Sequence, residues 1–124
     1  MRDEVYDKIV GMKVIKKSNS TFVREDAHGG SGGRKLLLND KEVQNVQGMT
    51  YGYIPGGSMF ALHSHDGMNE VMYVLKGKGI VRDKDGAYDY QPGDLFVFPA
   101  GIEHEIANPS SEEHEFIFIR VYQS

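Results

Sequence analysis

The sequence predicts an all-β domain, and three observations support this prediction. From residue 35 onward the chain breaks into short apolar runs that are rich in Val, Ile, Tyr and Phe. Turn-forming residues separate these runs, as in PGG, DKDG, QPGD and NPSS. Helical periodicity of useful length is missing. Regularly spaced short strands in one small domain indicate a sandwich or a closed barrel, with jelly rolls among the options.

The first 34 residues have a different character. Asp3 is placed to cap a short helix that Gly11 would end. The stretch HGGSGGRK then places four glycines within residues 29–33, without the strand and the GK[ST] sequence of a phosphate-binding loop. We therefore predict an N-terminal extension with a flexible glycine-rich loop over residues 1–34, and a barrel domain over residues 35–124.

The predicted strands follow one another with turns between them. KLLLN and MTYGYI come first, and PGG ends the second. MFALHSH and EVMYVL flank the turn DGMN, and GIVRD and AYDY flank DKDG, which is a hairpin signal. QPGD separates AYDY from DLFVFP, the sequence PAGIE leads into HEIAN, and NPSS precedes the last run, EFIFIRVY. Each run is short and contains the β-branched or aromatic residues that strands favour.

Composition narrows the function classes. The chain has 14 Lys and Arg against 18 Asp and Glu, and its net charge of -4 favours neither nucleic acid nor an anionic membrane as a partner. There is no cysteine, which excludes disulfides and thiol nucleophiles and agrees with a reducing compartment. No apolar run approaches the roughly 18 residues of a membrane span. We predict a cytoplasmic protein with a small-molecule ligand.

The stretch HSHDGMNEVMYVLKGKG raises the question of a metal site. Alternate side chains of a strand share a face, so His63 and His65 point the same way, about 7 Å apart along the strand. Glu70 begins the next predicted strand, and His104 opens a later one directly after a proline and glycine turn. Three imidazoles and a carboxylate could therefore meet at one ion. We predict that the remaining histidines, His28 and His114, are solvated surface residues.

The alternative is that these histidines are ordinary hydrogen-bonded or surface residues. If His63 and His65 pointed inward without an ion, buried imidazoles and a carboxylate would lack partners, at about 1–3 kcal/mol each. If they pointed outward, Met59 and Ala61 would follow them into solvent. Strand alternation therefore favours an inward orientation, and with it a metal.

At this point the sequence resembles the cupin family. The first cupin motif, G-x5-H-x-H-x4-E-x6-G, is matched by Gly57, His63, His65, Glu70 and Gly77. The second motif, G-x5-P-x-G-x2-H-x3-N, is matched by Gly93, Pro99, Gly101, His104 and Asn108. The resemblance implies a single-domain cupin, a jelly-roll barrel (double-stranded β-helix) of six to eight strands that carries its metal inside. It extends over most of the chain from about residue 35.

The other motif positions are predicted to be structural. Gly57 and Gly77 stand at turns where a positive φ is expected. Pro99 and Gly101 form the bend that aims the following histidine inward. Asn108 precedes a proline and is expected to close a turn through its side-chain hydrogen bonds rather than bind metal.

The predicted cofactor is one divalent transition metal per chain, Fe, Mn, Ni, Co or Zn, held by His63, His65, Glu70 and His104. Tetrahedral Zn would be closed by these four ligands, whereas an octahedral metal would keep two positions open. We favour a small metalloenzyme of dioxygenase, isomerase or lyase type that acts on a small oxygen-bearing organic molecule chelated at the metal. The alternative is a non-catalytic, metal-stabilised ligand-binding or sensor domain. No catalytic residue is assigned.

Strand alternation also predicts the walls of the pocket. Counting by twos from the ligands places four apolar residues on the metal's side: Met59, Ala61, Met72 and Val74. A later strand adds either Phe96 and Phe98 or Leu95 and Val97. The polar candidates for holding a ligand are Tyr51, Tyr53, Tyr73 and Arg82.

The last run, EFIFIRVY, is apolar on both faces. Phe116 and Phe118 lie on one face, while Ile117, Ile119 and Val121 lie on the other. In a small monomeric barrel, one face of a sheet can be exposed to water and is then expected to be polar. A second apolar face needs to be covered, and we therefore predict a two-fold homodimer.

Overall fold

A computed structural model of the chain describes residues 11–12 and 32–123. Over residues 32–123 it contains nine strands and no helix. In chain order the strands are β1 (Gly33–Leu38), β2 (Val46–Ile54), β3 (Met59–His63), β4 (Met68–Lys76), β5 (Gly79–Asp83), β6 (Gly86–Tyr90), β7 (Leu95–Phe98), β8 (His104–Ala107) and β9 (His114–Tyr122).

The strands form two antiparallel sheets. One has five strands in the order β1-β2-β9-β4-β7, and the other has four in the order β3-β8-β5-β6. The predicted all-β jelly roll is confirmed, and each predicted apolar run contributes one strand. The nine strands exceed the six to eight that the family resemblance implied.

Turns join successive strands where the sequence predicts them. Gly57 and Gly77 have φ values of 77° and 102°, which confirms the predicted left-handed positions. Between β5 and β6 the Asp83 carboxylate accepts hydrogen bonds from the backbone N–H groups of Asp85 (2.9 Å) and Gly86 (3.0 Å). These local bonds fix the hairpin.

The hydrophobic core fills the space between the two sheets. β4 and β9 lie side by side and alternate buried with more exposed residues, so Met72, Val74 and Phe116 are all 0% exposed. The other sheet contributes Phe60, Val81, Tyr90 and Ile106. This packing confirms Met72 and Val74 as inward-facing residues.

Two polar residues, Asn108 of the second motif and His114 at the start of β9, are also buried. Asn108 donates to the carbonyl oxygens of Ile54 (2.9 Å) and Glu112 (2.6 Å), as expected for a residue that closes a turn. The prediction for His114 was wrong, because this residue is 1% exposed and its Nδ1 lies 2.6 Å from the Tyr90 hydroxyl. It precedes Phe116 by two positions, and strand alternation turns both inward.

The predicted helix after Asp3, His28 and most of the glycine-rich loop lie outside the described residues. The proposed boundary between residues 34 and 35 therefore stays a prediction, although β1 begins at Gly33. Within the described residues there is no helix long and apolar enough to cross a membrane.

Candidate metal centre

The four predicted ligands come together at one point between the sheets. His63 ends β3, His65 lies two residues further on, Glu70 is in β4 and His104 begins β8. Each offers one ligand atom, and these atoms all lie within 4.8 Å of one another. The cluster could therefore hold a metal ion.

β3 brings His63 to the site through an irregularity in its pairing. The register of β3 with β8 shifts between Phe60 and His63, after which His63 lies opposite His104. The shift reverses the alternation that simple counting assumes. Consequently Phe60 is 5% exposed and faces the core, whereas Met59 is 37% exposed, so the prediction of Met59 as a pocket wall was wrong.

A tight turn positions His104. The Ile102 N–H donates to the Pro99 carbonyl (3.1 Å), and Gly101 within this turn has a φ of 81°. The Gly101 N–H donates to the His65 carbonyl (3.0 Å), which ties this turn to the first motif. The predicted bend is confirmed, and glycine suits its left-handed position.

Hydrogen bonds to backbone select the protonated nitrogen of two imidazoles. His63 Nδ1 lies 2.7 Å from the Ala61 carbonyl oxygen, and His104 Nδ1 lies 3.0 Å from that of Ile102. Because a carbonyl oxygen only accepts, Nδ1 of each ring carries a hydrogen, and Nε2 is the nitrogen of each ring that is left to bind a metal. The ring of Phe98 stacks on that of His104 at 3.8 Å and holds its orientation.

The donor set fits a metal ion. His104 Nε2 is buried without a hydrogen-bond partner among the described residues, and an unpaired buried nitrogen costs free energy. It lies 3.3 Å from Glu70 Oε1, while His65 Nε2 lies 3.4 Å from Glu70 Oε2. A divalent ion between imidazole lone pairs and a carboxylate would satisfy all of these atoms.

Glu70 is the charged centre of the cluster. It is 3% exposed, and Arg120 Nη1 lies 3.3 Å from its Oε2. Burial raises the pKa of the Glu70 carboxyl, but contacts with His104, His65 and Arg120 outweigh burial and hold this pKa well below its usual range. Glu70 is therefore an ionised carboxylate, the form that binds metal.

A small cavity of about 50 Å³ adjoins the cluster. By the same measure one water molecule needs roughly 10–15 Å³, so the cavity has room for a few waters or a very small ligand. Its polar lining comes from Arg34, Thr50, His63, Glu70 and Arg120, and its apolar lining from Gly52, Phe60, Ile106 and Phe118.

None of the four polar residues predicted to hold a ligand is among these lining residues. Tyr73 is 42% exposed, and Arg82 pairs with Glu105 at 2.9 Å on the surface. Tyr51 and Tyr53 belong to β2, where the lining residues are Thr50 and Gly52 instead. On β7 the inward alternative is Phe98 (6% exposed), since Val97 is 59% exposed.

Sequence reasoning missed Arg34, Thr50 and Arg120. The alternation of side chains along β9 could have identified Arg120, because Phe116, Phe118 and Arg120 share one face of this strand. Glu70 pairs in register with Arg120 across β4 and β9, which places the two side chains next to each other. Thr50 and Gly52 are likewise two residues apart on β2 and share one face of it, and Thr50 is 4% exposed.

Comparison with known proteins agrees with this architecture. The oxalate-binding protein of Thermotoga maritima is 28% identical over 110 residues, which cover 86% of this chain and 91% of that protein. An uncharacterised protein of Methanocaldococcus jannaschii is 27% identical over 100 residues, which cover 81% of this chain and 80% of that protein.

Solved structures show the same fold. The crystal structure of a predicted oxalate decarboxylase from Thermotoga maritima superposes with a TM-score of 0.79 at 26% identity, covering 90% of this chain and all of that one (100%). A polyketide cyclase from Streptomyces resistomycificus has a TM-score of 0.75 at 16% identity, covering 91% and 81% of the two chains. A family model described as a cupin domain matches residues 49–120. The chain therefore belongs to the cupin family.

Proposed function

We propose that this chain is a small metalloenzyme with one divalent transition metal bound by His63, His65, Glu70 and His104. The observation that carries the proposal is the buried, unpartnered Nε2 of His104, which faces an ionised carboxylate inside a cluster of ligand atoms. Fe, Mn, Ni, Co and Zn all accept imidazole and carboxylate ligands. The substrate is a small oxygen-bearing organic molecule that chelates the metal.

A bound metal of this kind supplies Lewis-acid chemistry, activated water or activated dioxygen. The chain's own residues orient the ligands. The Ala61 and Ile102 carbonyls hold His63 and His104 in the tautomer that presents Nε2, and Phe98 packs flat against the His104 ring. Arg120 keeps the Glu70 carboxylate in place and ionised.

Cavity size and the relatives support a ligand with two adjacent oxygens. A cavity of about 50 Å³ next to the ligands suits molecules of a few heavy atoms. The relative in Thermotoga maritima is named an oxalate-binding protein, and oxalate is a chelator of this size. Oxalate is therefore the first ligand to test. A dioxygenase, isomerase or lyase reaction on such a molecule is the proposed activity, and the cysteine-free composition favours a cytoplasmic location.

A non-catalytic binding or sensor domain is the second candidate function. The name of the same relative favours it, since that name describes binding rather than turnover. In this case the metal would stabilise the barrel and hold the ligand without changing it.

Metal content tests the centre. We predict about one equivalent of transition metal per chain in the purified protein, and a strong loss of metal in His63→Ala, His104→Ala and Glu70→Gln, because each removes a ligand. Glu105→Gln is the matched control, since Glu105 adjoins His104 in sequence but pairs with Arg82 at the surface. Full metal content in the double variant His63→Ala, His65→Ala would contradict the site.

Ligand binding and turnover separate the two functions. Hydroxy acids, keto acids, diketones and oxalate are added to the Fe, Mn, Ni, Co and Zn forms, and the metal spectrum, thermal stability and product formation are followed. A spectral change with product formation supports the enzyme. Binding without any product from any metal form would support the binding domain, and no response to any chelator would contradict an open metal centre.

A further inference from the structure

The cavity beside the candidate metal centre narrows between two aromatic rings and a glycine. We propose that Gly52, Phe60 and Phe118 form a constriction that determines how long a ligand of the metal can be, so that the pocket accepts a chelating group with little attached to it. This inference rests on the proposed function, because it names the residues that select ligands at that same site.

Strand pairing places the constriction between the metal ligands and the exposed side of the cavity. On the inner face of the five-stranded sheet, Glu70 and Arg120 form one row. Phe118 lies in the next row, two residues from Arg120 along β9. Gly52 and Arg34 pair in the third row, and Arg34 is exposed on the edge strand β1. All five residues line the cavity, so a tail that extends from a metal-bound group toward solvent beside Arg34 must pass Phe118 and Gly52.

The two aromatic rings converge over the backbone of Gly52. A Cβ added at Gly52 would lie 2.9 Å from Cε2 of Phe118 and 3.8 Å from Cζ of Phe60. Carbon atoms in favourable contact are about 3.5–4.0 Å apart, so a single added carbon would be crowded by one ring and would touch the other. Only a narrow opening is therefore left at this point, and it depends on the absence of a side chain at position 52.

Neighbouring groups hold the two rings in place. Phe60 is 5% and Phe118 is 6% exposed, and their rings meet edge to face with centroids 5.9 Å apart. Phe118 also packs against the ring of Phe116 at 5.8 Å, and a Cβ at Gly32 would overlap the ring of Phe60. Because protein interiors are close-packed, rings enclosed in this way cannot move aside for a longer ligand without disturbing the core.

The volume of the cavity makes the constriction effective. The cavity measures about 50 Å³, and one water molecule needs roughly 10–15 Å³ by the same measure, so a chelating group fills most of it. In an unobstructed apolar pocket, each buried CH₂ of a tail would raise affinity about fourfold. A constriction predicts the opposite trend, a fall in affinity as the tail grows.

Linear hydroxamates test this trend, because they share one chelating group and one charge and differ only in the length of the tail. Acetohydroxamate, butanohydroxamate and hexanohydroxamate are titrated calorimetrically into metal-loaded wild type, Phe118→Leu, Phe60→Leu and Phe116→Leu, and metal content is measured for each. Phe116→Leu is the matched control, since Phe116 is 0% exposed and shares a face of β9 with Phe118 but does not line the cavity. Phe60→Leu covers the case in which Phe118→Leu fails to fold, because Phe60 belongs to the other sheet.

The opposite change is made at Gly52. Gly52→Ala adds one carbon against the Phe118 ring and should lower acetohydroxamate affinity roughly 10-fold at unchanged metal content. Gly86→Ala is its control, because a Cβ there would meet only the Tyr88 ring, at 3.7 Å or more. Acetohydroxamate affinity equal to wild type in metal-loaded Gly52→Ala would overturn the role of this position.

In wild type we expect affinity to fall roughly 10-fold or more from acetohydroxamate to hexanohydroxamate, the range for overpacking by a few atoms. The fall should disappear or reverse in Phe118→Leu and Phe60→Leu, and Phe116→Leu should keep the wild-type trend. Equal or tighter binding of hexanohydroxamate by wild type, or an equal gain in Phe116→Leu and Phe118→Leu, would overturn the constriction while leaving the metal centre intact. Failure of the metal-loaded wild type to bind any hydroxamate would instead overturn the proposed function itself.

Discussion

At the scale of single residues, Gly77 shows what the first motif requires at its end. Gly77 has a φ of 102°, and a Cβ there would overlap the imidazole ring of His114. Glycine is therefore required here for two reasons: the backbone is left-handed, and a buried ring packs closely against this position. Sequence reasoning predicted the first need but not the second, because it placed His114 in solvent.

Replacing Gly77 with alanine should consequently lower the free energy of unfolding by more than backbone strain alone would. Gly67 is the matched control, because it has a φ of 69° and a Cβ added there would meet nothing within 4 Å. We predict that Gly67→Ala lowers the free energy of unfolding by about 1–2 kcal/mol, and that overpacking makes Gly77→Ala worse by about 1–3 kcal/mol more. Urea denaturation of both variants measures this, and equal losses would contradict the packing role.

His114 is held in its neutral form by its surroundings. The Ser110 hydroxyl lies 2.7 Å from the Asn108 side-chain oxygen, which can only accept, so Ser110 Oγ in turn accepts from His114 Nε2 at 3.0 Å. The other nitrogen, Nδ1, then accepts from the Tyr90 hydroxyl at 2.6 Å. Burial lowers the pKa of His114, Glu112 opposes this effect and Lys76 adds to it, with a net lowering.

The lowered pKa predicts how stability depends on pH. Below the ordinary imidazole pKa of 6.5 the unfolded chain takes up a proton that folded His114 does not, so the free energy of unfolding falls as pH decreases. Above that pH the contribution of His114 is constant. Denaturation of metal-free protein between pH 8 and about pH 5 should show a steeper decline for wild type than for His114→Gln, in which the other histidines still titrate. Parallel curves would show that His114 titrates normally.

At the scale of strands, the sequence predicted the positions of the strands better than it predicted which side chains of each strand face the core. Nine apolar runs between turn residues became nine strands, because glycine and proline end strands through local sterics. Alternation correctly predicted that Met72 and Val74 face inward, on the part of β4 that pairs regularly with β9, although neither of them lines the cavity. It failed for Met59, since the register shift in β3 depends on pairing with β8, a strand some 40 residues away in sequence whose position no local pattern encodes.

Strand ends are joined by Asn108, which links the end of β2 to the turn between β8 and β9. Its side-chain nitrogen donates to the Ile54 and Glu112 carbonyls, and its oxygen accepts from the Ser110 N–H at 2.9 Å. We predict that Asn108→Ala and Asn108→Asp each lower the free energy of unfolding by about 1–3 kcal/mol for each buried carbonyl left without a donor. Metal content of the folded variants should be unchanged. An Asn108→Asp variant as stable as wild type would contradict the donor role.

At the scale of the whole molecule, the outer face of the five-stranded sheet is largely apolar. One row across the sheet runs through Tyr51, Ile117, Tyr73 and Leu95, and the next through Met49, Ile119, Val71 and Val97. Exposure rises toward the β7 edge, where Leu95 is 58% and Val97 59% exposed. Sequence alternation in EFIFIRVY predicted this second apolar face, but only the sheet order shows which neighbours extend it.

An apolar outer face of this extent favours association through a second copy, because a two-fold contact lets identical patches cover each other. We predict that the wild type sediments as a dimer at micromolar concentration, and that Val97→Lys shifts it toward monomer by burying an unpaired charge in the contact. Leu62→Lys is the matched control, since Leu62 is 55% exposed but lies on β3 in the other sheet. A monomeric wild type, or equal dissociation in both lysine variants, would show that this face is not the contact between copies.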